Sequence, residues 1–392
     1  MATSLLRFAP LGLLVALVAS CVVVEDFEGY GPLPDLTCAA VPCGGAGGAC
    51  EPFVIEPNVV PGSLTSDAQS LVLIQYDSPG SIRRIPKPGC DVPLVDRGAL
   101  RPESAVVSYD FLAWTQRGNG DSCLGSNLLF CDPRNCEPQV IPVLGEQPEF
   151  EKLATITQDE DFLYYMLTDG LIGRVRKGST EYEPIWLDTD YDEGVQSALL
   201  FGIKWNDGRL YFSRFSLADD VPNSCDDGPK ATTGFVYAID PSLGMGVEEQ
   251  KLVTNIDYPT SLDVSKEYVF FYAQNFSLLN RVPKTGGAVE SFLPSGELVL
   301  SDPTTNFVLA SFPPVEVDGD WVYFGASTMD GGKAIARLPV GGANWGTQTA
   351  EIVVRPTGPF SFVVDEGVLY WHECPMNTEC ETGRLLGLVL SP

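Results

Sequence analysis

The chain has 392 residues, enough for one large domain or two to three smaller ones at roughly 100–200 residues each. Hydrophobic residues make up 44% and charged residues 19%, a balance that argues against a disordered chain. Acids outnumber bases 52 to 24, a net charge of −28 that repels nucleic acid and anionic headgroups, and the single histidine, His372, excludes multi-histidine metal sites and leaves few ways to build a Ser–His–Asp triad.

Residues 1–20 open with a short polar start carrying one base, Arg7, followed by an apolar run from Phe8 to Ala19. At about twelve residues the run is too short to span a bilayer and reads as a signal peptide. It ends Leu17-Val18-Ala19-Ser20-Cys21, small residues directly before a cysteine, which resembles the bacterial lipobox, with Val18 where leucine is usual. The resemblance implies cleavage after Ser20, a diacylglyceryl group on the Cys21 thiol, and attachment to the membrane through lipid only. The alternative is an ordinary secretory signal with an incidental cysteine. Val22, where aspartate would mark retention at the inner membrane, points by the same resemblance to the outer membrane of a Gram-negative bacterium. Residues 21–49 are rich in Gly and Pro and read as a lipid-attached flexible tether, leaving 50–392 as the folded part.

Setting Cys21 aside leaves ten of the eleven cysteines, an even set that suggests a disulfide framework in an exported chain. Cys374 and Cys380 form the easiest local pair; Cys123, Cys131 and Cys136 lie too close together to be paired from the sequence. No paired Cys-x-x-Cys units suggest a metal, and an oxidised sulfur is no thiolate ligand.

From residue 66 onward a pattern recurs seven times: a short apolar strand, a turn with an acidic or polar residue, then a strand rich in aromatics. The clearest copies are Val317-Asp-Gly-Asp-Trp-Val-Tyr-Phe324, Val364-Asp-Glu-Gly-Val-Leu-Tyr-Trp371 and Gln158-Asp-Glu-Asp-Phe-Leu-Tyr-Tyr165. Trp205–Phe212 and Val264–Phe271 follow closely, and Val107–Trp114 and Ser66–Leu73 are weaker. A third strand ends in a basic turn, as in Ile82-Arg-Arg-Ile-Pro-Lys-Pro-Gly89 and Leu279-Asn-Arg-Val-Pro-Lys-Thr-Gly-Gly287, and a fourth strand often follows, such as 288–293 or 350–354. Four strands at a period near fifty, with no sustained 3.6-residue periodicity, predict an all-β fold, a single β-propeller. The count is seven blades, with six as the alternative. The last copy supplies three strands, near 361–364, 368–372 and 384–390, while 53–60 has no blade of its own. The N-terminal strand is therefore expected to complete the last blade and close the ring.

Leu369-Tyr370-Trp371, Val322-Tyr323-Phe324 and the Arg-Val-Pro-Lys-Thr-Gly-Gly turn resemble the TolB- and YWTD-like propeller groups over about 330 residues. Those groups often have six blades. The resemblance, with the lipobox, implies an envelope lipoprotein and says nothing of a ligand.

Candidate sites are weighed against plainer readings. His372, beside Glu373 at a strand end, is a conceivable general base, but neighbouring strand residues face opposite ways, so Glu373 cannot orient it, and a hydrogen-bonded or solvated histidine is favoured. Asp188, Asp190 and Asp192 alternate as in calcium loops, but position six is Glu193 rather than Gly and position twelve is Leu199 rather than Glu, so calcium is a weak candidate and no other cofactor is indicated. Asp219, Asp220, Asp226 and Asp227 around Cys225 read as a hydrophilic excursion. The turn acids Asp67, Asp159, Asp318 and Asp365 recur from blade to blade, which points to turn capping rather than catalysis. The expected function is a binding or interaction scaffold at the cell envelope rather than an enzyme, its partner a protein or glycan. The rival is a carboxylate- or metal-dependent hydrolase or lyase with its site at the channel mouth, and a third option is a structural surface protein without a specific ligand.

Overall fold

A computed structural model of the chain describes residues 52–59, 62–75, 80–87, 90, 95–99, 102–108, 110–116, 127–141, 153–167, 170–188, 198–217, 231–257, 259–273, 278–294, 296–300, 314–357, 360–374 and 383–390. The signal, Cys21 and the tether lie outside these residues.

Strands follow one another as antiparallel neighbours and build seven sheets. Blade 1 is β2 (Gly62–Ser66), β3 (Ser70–Gln75), β4 (Gly80–Pro86) and β5 (Val95–Ala99). Blade 2 is β6 (Pro102–Ser108), β7 (Phe111–Gln116), β8 (Asn127–Cys131) and β9 (Gln139–Ile141). Blade 3 is β10 (Leu153–Gln158), β11 (Phe162–Leu167), β12 (Leu171–Arg176) and β13 (Tyr182–Leu187). Blade 4 is β14 (Ala198–Asn206), β15 (Arg209–Leu217), β16 (Ala231–Ile239) and β17 (Gln250–Ile256). Blade 5 is β18 (Thr260–Val264), β19 (Tyr268–Ala273), β20 (Leu278–Pro283) and β21 (Glu290–Phe292). Blade 6 is β23 (Val315–Asp318), β24 (Trp321–Thr328), β25 (Lys333–Pro339) and β26 (Glu351–Val354), with β22 (Leu298–Val299) pairing the far end of β24. Blade 7 is β27 (Phe360–Asp365), β28 (Val368–Glu373) and β29 (Gly383–Val389), completed by β1 (Phe53–Val59).

The first strands touch in a closed circuit: β2 meets β6 and β27, and β6, β10, β14, β18, β23 and β27 follow in turn. The fold is thus a seven-bladed propeller, fastened as the unpaired N-terminal strand led one to expect. β1 pairs with β29 from Phe53 opposite Gly387 to Val59 opposite Gly383. Gly387 has a physical reason: a Cβ there would sit 2.4 Å from Cζ of Phe53, so only glycine lets the Phe53 ring lie across β29.

The second strands read as nearly continuous apolar runs because both their faces are covered. Alternate side chains go to opposite neighbours. On β11, Leu163, Tyr165 and Leu167 pack against blade 2, while Tyr164 and Met166 pack against blade 4. Among the described residues the buried apolar side chains fall into seven clusters, one at each junction between blades.

The basic turn that recurs in the sequence ties neighbouring blades together. Its lysine reaches back one blade. Lys87 Nζ lies 2.5 Å from Asp365 and over the Tyr370 ring of blade 7. Lys284 donates to Asn206 Oδ1 at 2.5 Å and sits over Tyr211 of blade 4. Lys177 sits over Phe111 of blade 2. Its arginine, three residues earlier, reaches forward. Arg174 donates to the Pro241 carbonyl of blade 4, and Arg281 to the Val340 and Gly342 carbonyls of blade 6. Arg281 is 2% exposed, paired with Glu290, and lies between the rings of Tyr268 and Trp345.

Cys131 and Cys136, which spacing left unpaired, are bonded to each other just after β8, with Cα atoms 4.9 Å apart. Cys90 and Cys374 each take part in a disulfide as well, and Cys380 lies outside the described residues. No helix among the described residues is long and apolar enough to cross a membrane.

Two outcomes are expected. Gly387→Ala forces Phe53 off β29 and lowers stability by about 1–3 kcal/mol, read as a lower urea midpoint with faster amide exchange at residues 53–59. Arg281→Met removes a buried, multiply bonded cation and costs about 3 kcal/mol, whereas Arg134→Ala, which breaks a surface pair with Asp132, costs less than about 1 kcal/mol in the same assay.

Candidate functional site

Each inner strand carries one residue immediately before the first residue of its repeat copy: Thr65, Val106, Thr157, Lys204, Asp263, Glu316 and Val363. Thr65, Lys204, Glu316 and Val363, from blades 1, 4, 6 and 7, line one cavity of about 280 Å³ on the axis of the ring. Asp67 in the turn after β2, Asp365 at the end of β27 and Glu366 just beyond it also line the cavity.

Three consecutive copies, blades 4 to 6, place a charge at this position. Lys204 Nζ stands 3.5 Å from Asp263 Oδ1 and 4.0 Å from Glu316 Oε1. Asp263 is fixed from its other oxygen, Oδ2, which accepts the Val317 N–H at 2.7 Å. Lys204 keeps 36% of its side-chain surface and Glu316 21%, so the water they meet is the water of the channel. Burial, reinforced by the Asp263 and Asp365 carboxylates and only partly offset by Lys204, pushes Glu316 up to about 7. For Lys204 burial favours the neutral amine, but Asp263 and Glu316 outweigh it and hold the ammonium above its ordinary range. The mouth can therefore offer a cation flanked by two carboxylates, one of them poised between its charged and neutral forms.

The turn acids divide into two kinds. Asp67 accepts from the Gln69 and Ser70 N–H groups, and Asp159 from those of Asp161 and Phe162, as turn caps do. Asp159 also takes the Tyr164 hydroxyl at 2.7 Å. Asp318 and Asp365 instead reach the next blade, Asp318 to the Gly367 N–H at 3.0 Å and Asp365 to Lys87.

His372 stands at a strand end, one residue from the end of β28, but is not solvated. It lies within β28, opposite Ser361 and Leu385, and is fully buried. Its Nδ1 has no hydrogen-bond partner among the described residues, and the Cys374 sulfur is 4.0 Å from Nε2. Burial lowers its pKa to about 4, against a small opposing pull from Glu373. Glu373 points the other way, accepting from Trp371 Nε1 at 3.2 Å and the Thr357 N–H at 3.0 Å and pairing with Arg384.

Of the calcium candidates, Asp188 is buried with its carboxylate 2.5 Å from Arg214 Nε, while Asp190 and Asp192 lie outside the described residues, as do Asp219, Asp220, Cys225, Asp226 and Asp227. No group of three His, Cys, Asp or Glu side chains among the described residues is placed to hold a metal ion. Sequence reasoning missed Lys204, Asp263 and Glu316. The signal was there: a charge one step ahead of the repeat's first residue, in three successive copies.

A buried neutral imidazole makes stability pH-dependent. The folded chain binds the His372 proton less readily than the unfolded chain, whose histidine has the ordinary value near 6.5. Its contribution is fully present above about pH 6.5 and is lost as pH falls towards 4, about 3 kcal/mol in all. Glu316, raised to about 7, contributes in the opposite sense over the same range, so the His372 share is read in a Glu316→Gln background: urea denaturation at pH 7.5 and 4.5 is expected to show most of this loss there and a smaller one when His372→Leu is added.

No protein-family model matches the chain, and no curated protein matches it by sequence. Solved structures do. The chain is similar to the β-propeller domain of the trilobed protease from Pyrococcus furiosus, with TM-score 0.51 and 10% identity over 85% of this chain and 96% of that one. That domain has an open velcro topology, whereas here β1 joins blade 7. It is also similar to YCF48 bound to a D1 peptide, with TM-score 0.50 and 10% identity over 87% of this chain and 97% of that one. A puromycin-hydrolyzing peptidase of Mycobacterium tuberculosis gives TM-score 0.53 and 9% identity over 81% of this chain, which spans 49% of the peptidase. At these identities the likeness is one of fold: the chain is a β-propeller.

Proposed function

We propose that this chain is an exported lipoprotein, held at the cell envelope through lipid on Cys21, whose propeller is a rigid binding scaffold for a protein or glycan. The observation that carries the binding reading is the channel mouth. It is a polar cavity of about 280 Å³, assembled from four blades that other contacts already lock, so a ligand meets a preformed surface. The lipobox-like Leu17–Cys21 and the disulfide between Cys131 and Cys136 support export to an oxidising compartment, and Val22 supports the outer membrane.

One observation favours the rival reading of a carboxylate-dependent hydrolase or lyase. Glu316, held near 7 in a cleft, has the proton affinity of a general acid. Against it, Lys204 is shared between two carboxylates, and Asp67, Asp159, Asp318 and Asp365 are all engaged in turns or junctions.

Mass spectrometry of the mature N-terminus is expected to show a lipid-modified Cys21, and Cys21→Ala to move the protein from the membrane to the soluble fraction. An unmodified Cys21 or a different start overturns the anchor. Glycan and peptide arrays probed with the soluble domain are expected to give binding without turnover. Turnover of an arrayed glycan or peptide that Glu316→Gln abolishes would establish the enzyme instead.

A further inference from the structure

We propose that the channel mouth is a proton-operated switch: with Glu316 ionised, Lys204 bridges β14 to both β18 and β23, and with Glu316 protonated it bridges to β18 alone, so that one proton ends the pairing of Lys204 with Glu316 across the axis and adds one positive charge to the cavity. The inference rests on neither the lipid anchor nor any ligand.

Its basis is a stoichiometry set by geometry. One ammonium faces two carboxylates, at 3.5 and 4.0 Å, where the inner strands of the ring converge. A single cation neutralises one of them. Asp263 is the better placed, since it is nearer Lys204 and also holds the Val317 N–H. The remaining carboxylate, Glu316, is the one that gains by taking a proton from solvent. Every neighbouring element adds to that bias or is neutral. From β27 and the turn after it come Asp365 and Glu366, and from the turn after β2 comes Asp67, all on the same cavity. Lys87 and Arg84 sit on Asp365 and Asp67 and mute rather than reverse their charge. Tyr323, opposite Glu316 on β24, and Tyr272 on β19, which donates to the Gly325 carbonyl, are both raised by burial and stay protonated. Burial of Glu316 itself moves it to about 7, so the transition falls near neutrality.

The test uses the full mature chain with ¹³Cδ-labelled glutamate, titrated by NMR from pH 4 to 9. One carboxyl is expected to titrate near 7 and to vanish in Glu316→Gln. Its midpoint should fall by about one unit or more in Asp263→Asn, which keeps the acceptor for Val317 but returns Lys204 to Glu316, and should rise in Lys204→Met. Amide protection in β14 and β23, corrected for the base-catalysed chemical rate, should change between pH 8 and 6 in the wild type and stay level in Glu316→Gln. Absence of any glutamate titrating above pH 6 in the wild type, a midpoint unmoved by Asp263→Asn, or the same exchange response in Glu316→Gln would overturn the proposal. The wild-type titration stands even where a variant fails to fold.

Discussion

A four-stranded sheet with apolar side chains on both faces has to be covered twice, and this requirement shapes the whole molecule. β11 shows it most plainly: Tyr165 belongs to the junction with blade 2 and Tyr164 to the junction with blade 4. A row of such sheets leaves two greasy ends, and bending the row into a ring removes both. Closure then needs a fastening, which β1 supplies by lying against β29, and a glycine at 387 to let Phe53 fit there.

Polar groups do the complementary task at the junctions. A buried carbonyl or carboxylate between two sheets needs a partner, and the recurring Arg and Lys of the turn after the third strand provide it in opposite directions. Arg281 caps carbonyls of blade 6, while Lys284 turns back to Asn206 of blade 4. Repetition here is a sign of architecture. The channel is where repetition breaks: Thr, Val, Thr, Lys, Asp, Glu and Val occupy one equivalent position, and chemistry collects where the side chains differ.

Much of the fold was legible in the residues. Leu-Tyr-Trp and Val-Tyr-Phe strands after an acidic turn announced blades, and a final copy one strand short announced that 53–60 would fill it. Other features depended on distances no single copy contains. Asp318 and Asp365 looked like caps of their own turns, yet their partners, Gly367 N–H and Lys87, belong to the following blade. His372 looked like a solvated strand end, but β27 and β29 flank it on either side, opposite at Ser361 and Leu385, and seal it in. Lys204, Asp263 and Glu316 lie 59 and 53 residues apart and meet only because the ring brings equivalent positions to one axis.

The division of the interior into seven slabs has a consequence for how the molecule comes apart. Peeling the ring open at one junction uncovers a single slab, but removing any blade uncovers two, and no blade keeps a slab to itself. Partial loss is therefore dearer than it looks from one sheet alone. The blades are similar enough to be counted as modules, yet none can leave without breaking two shared slabs, so the circle couples them.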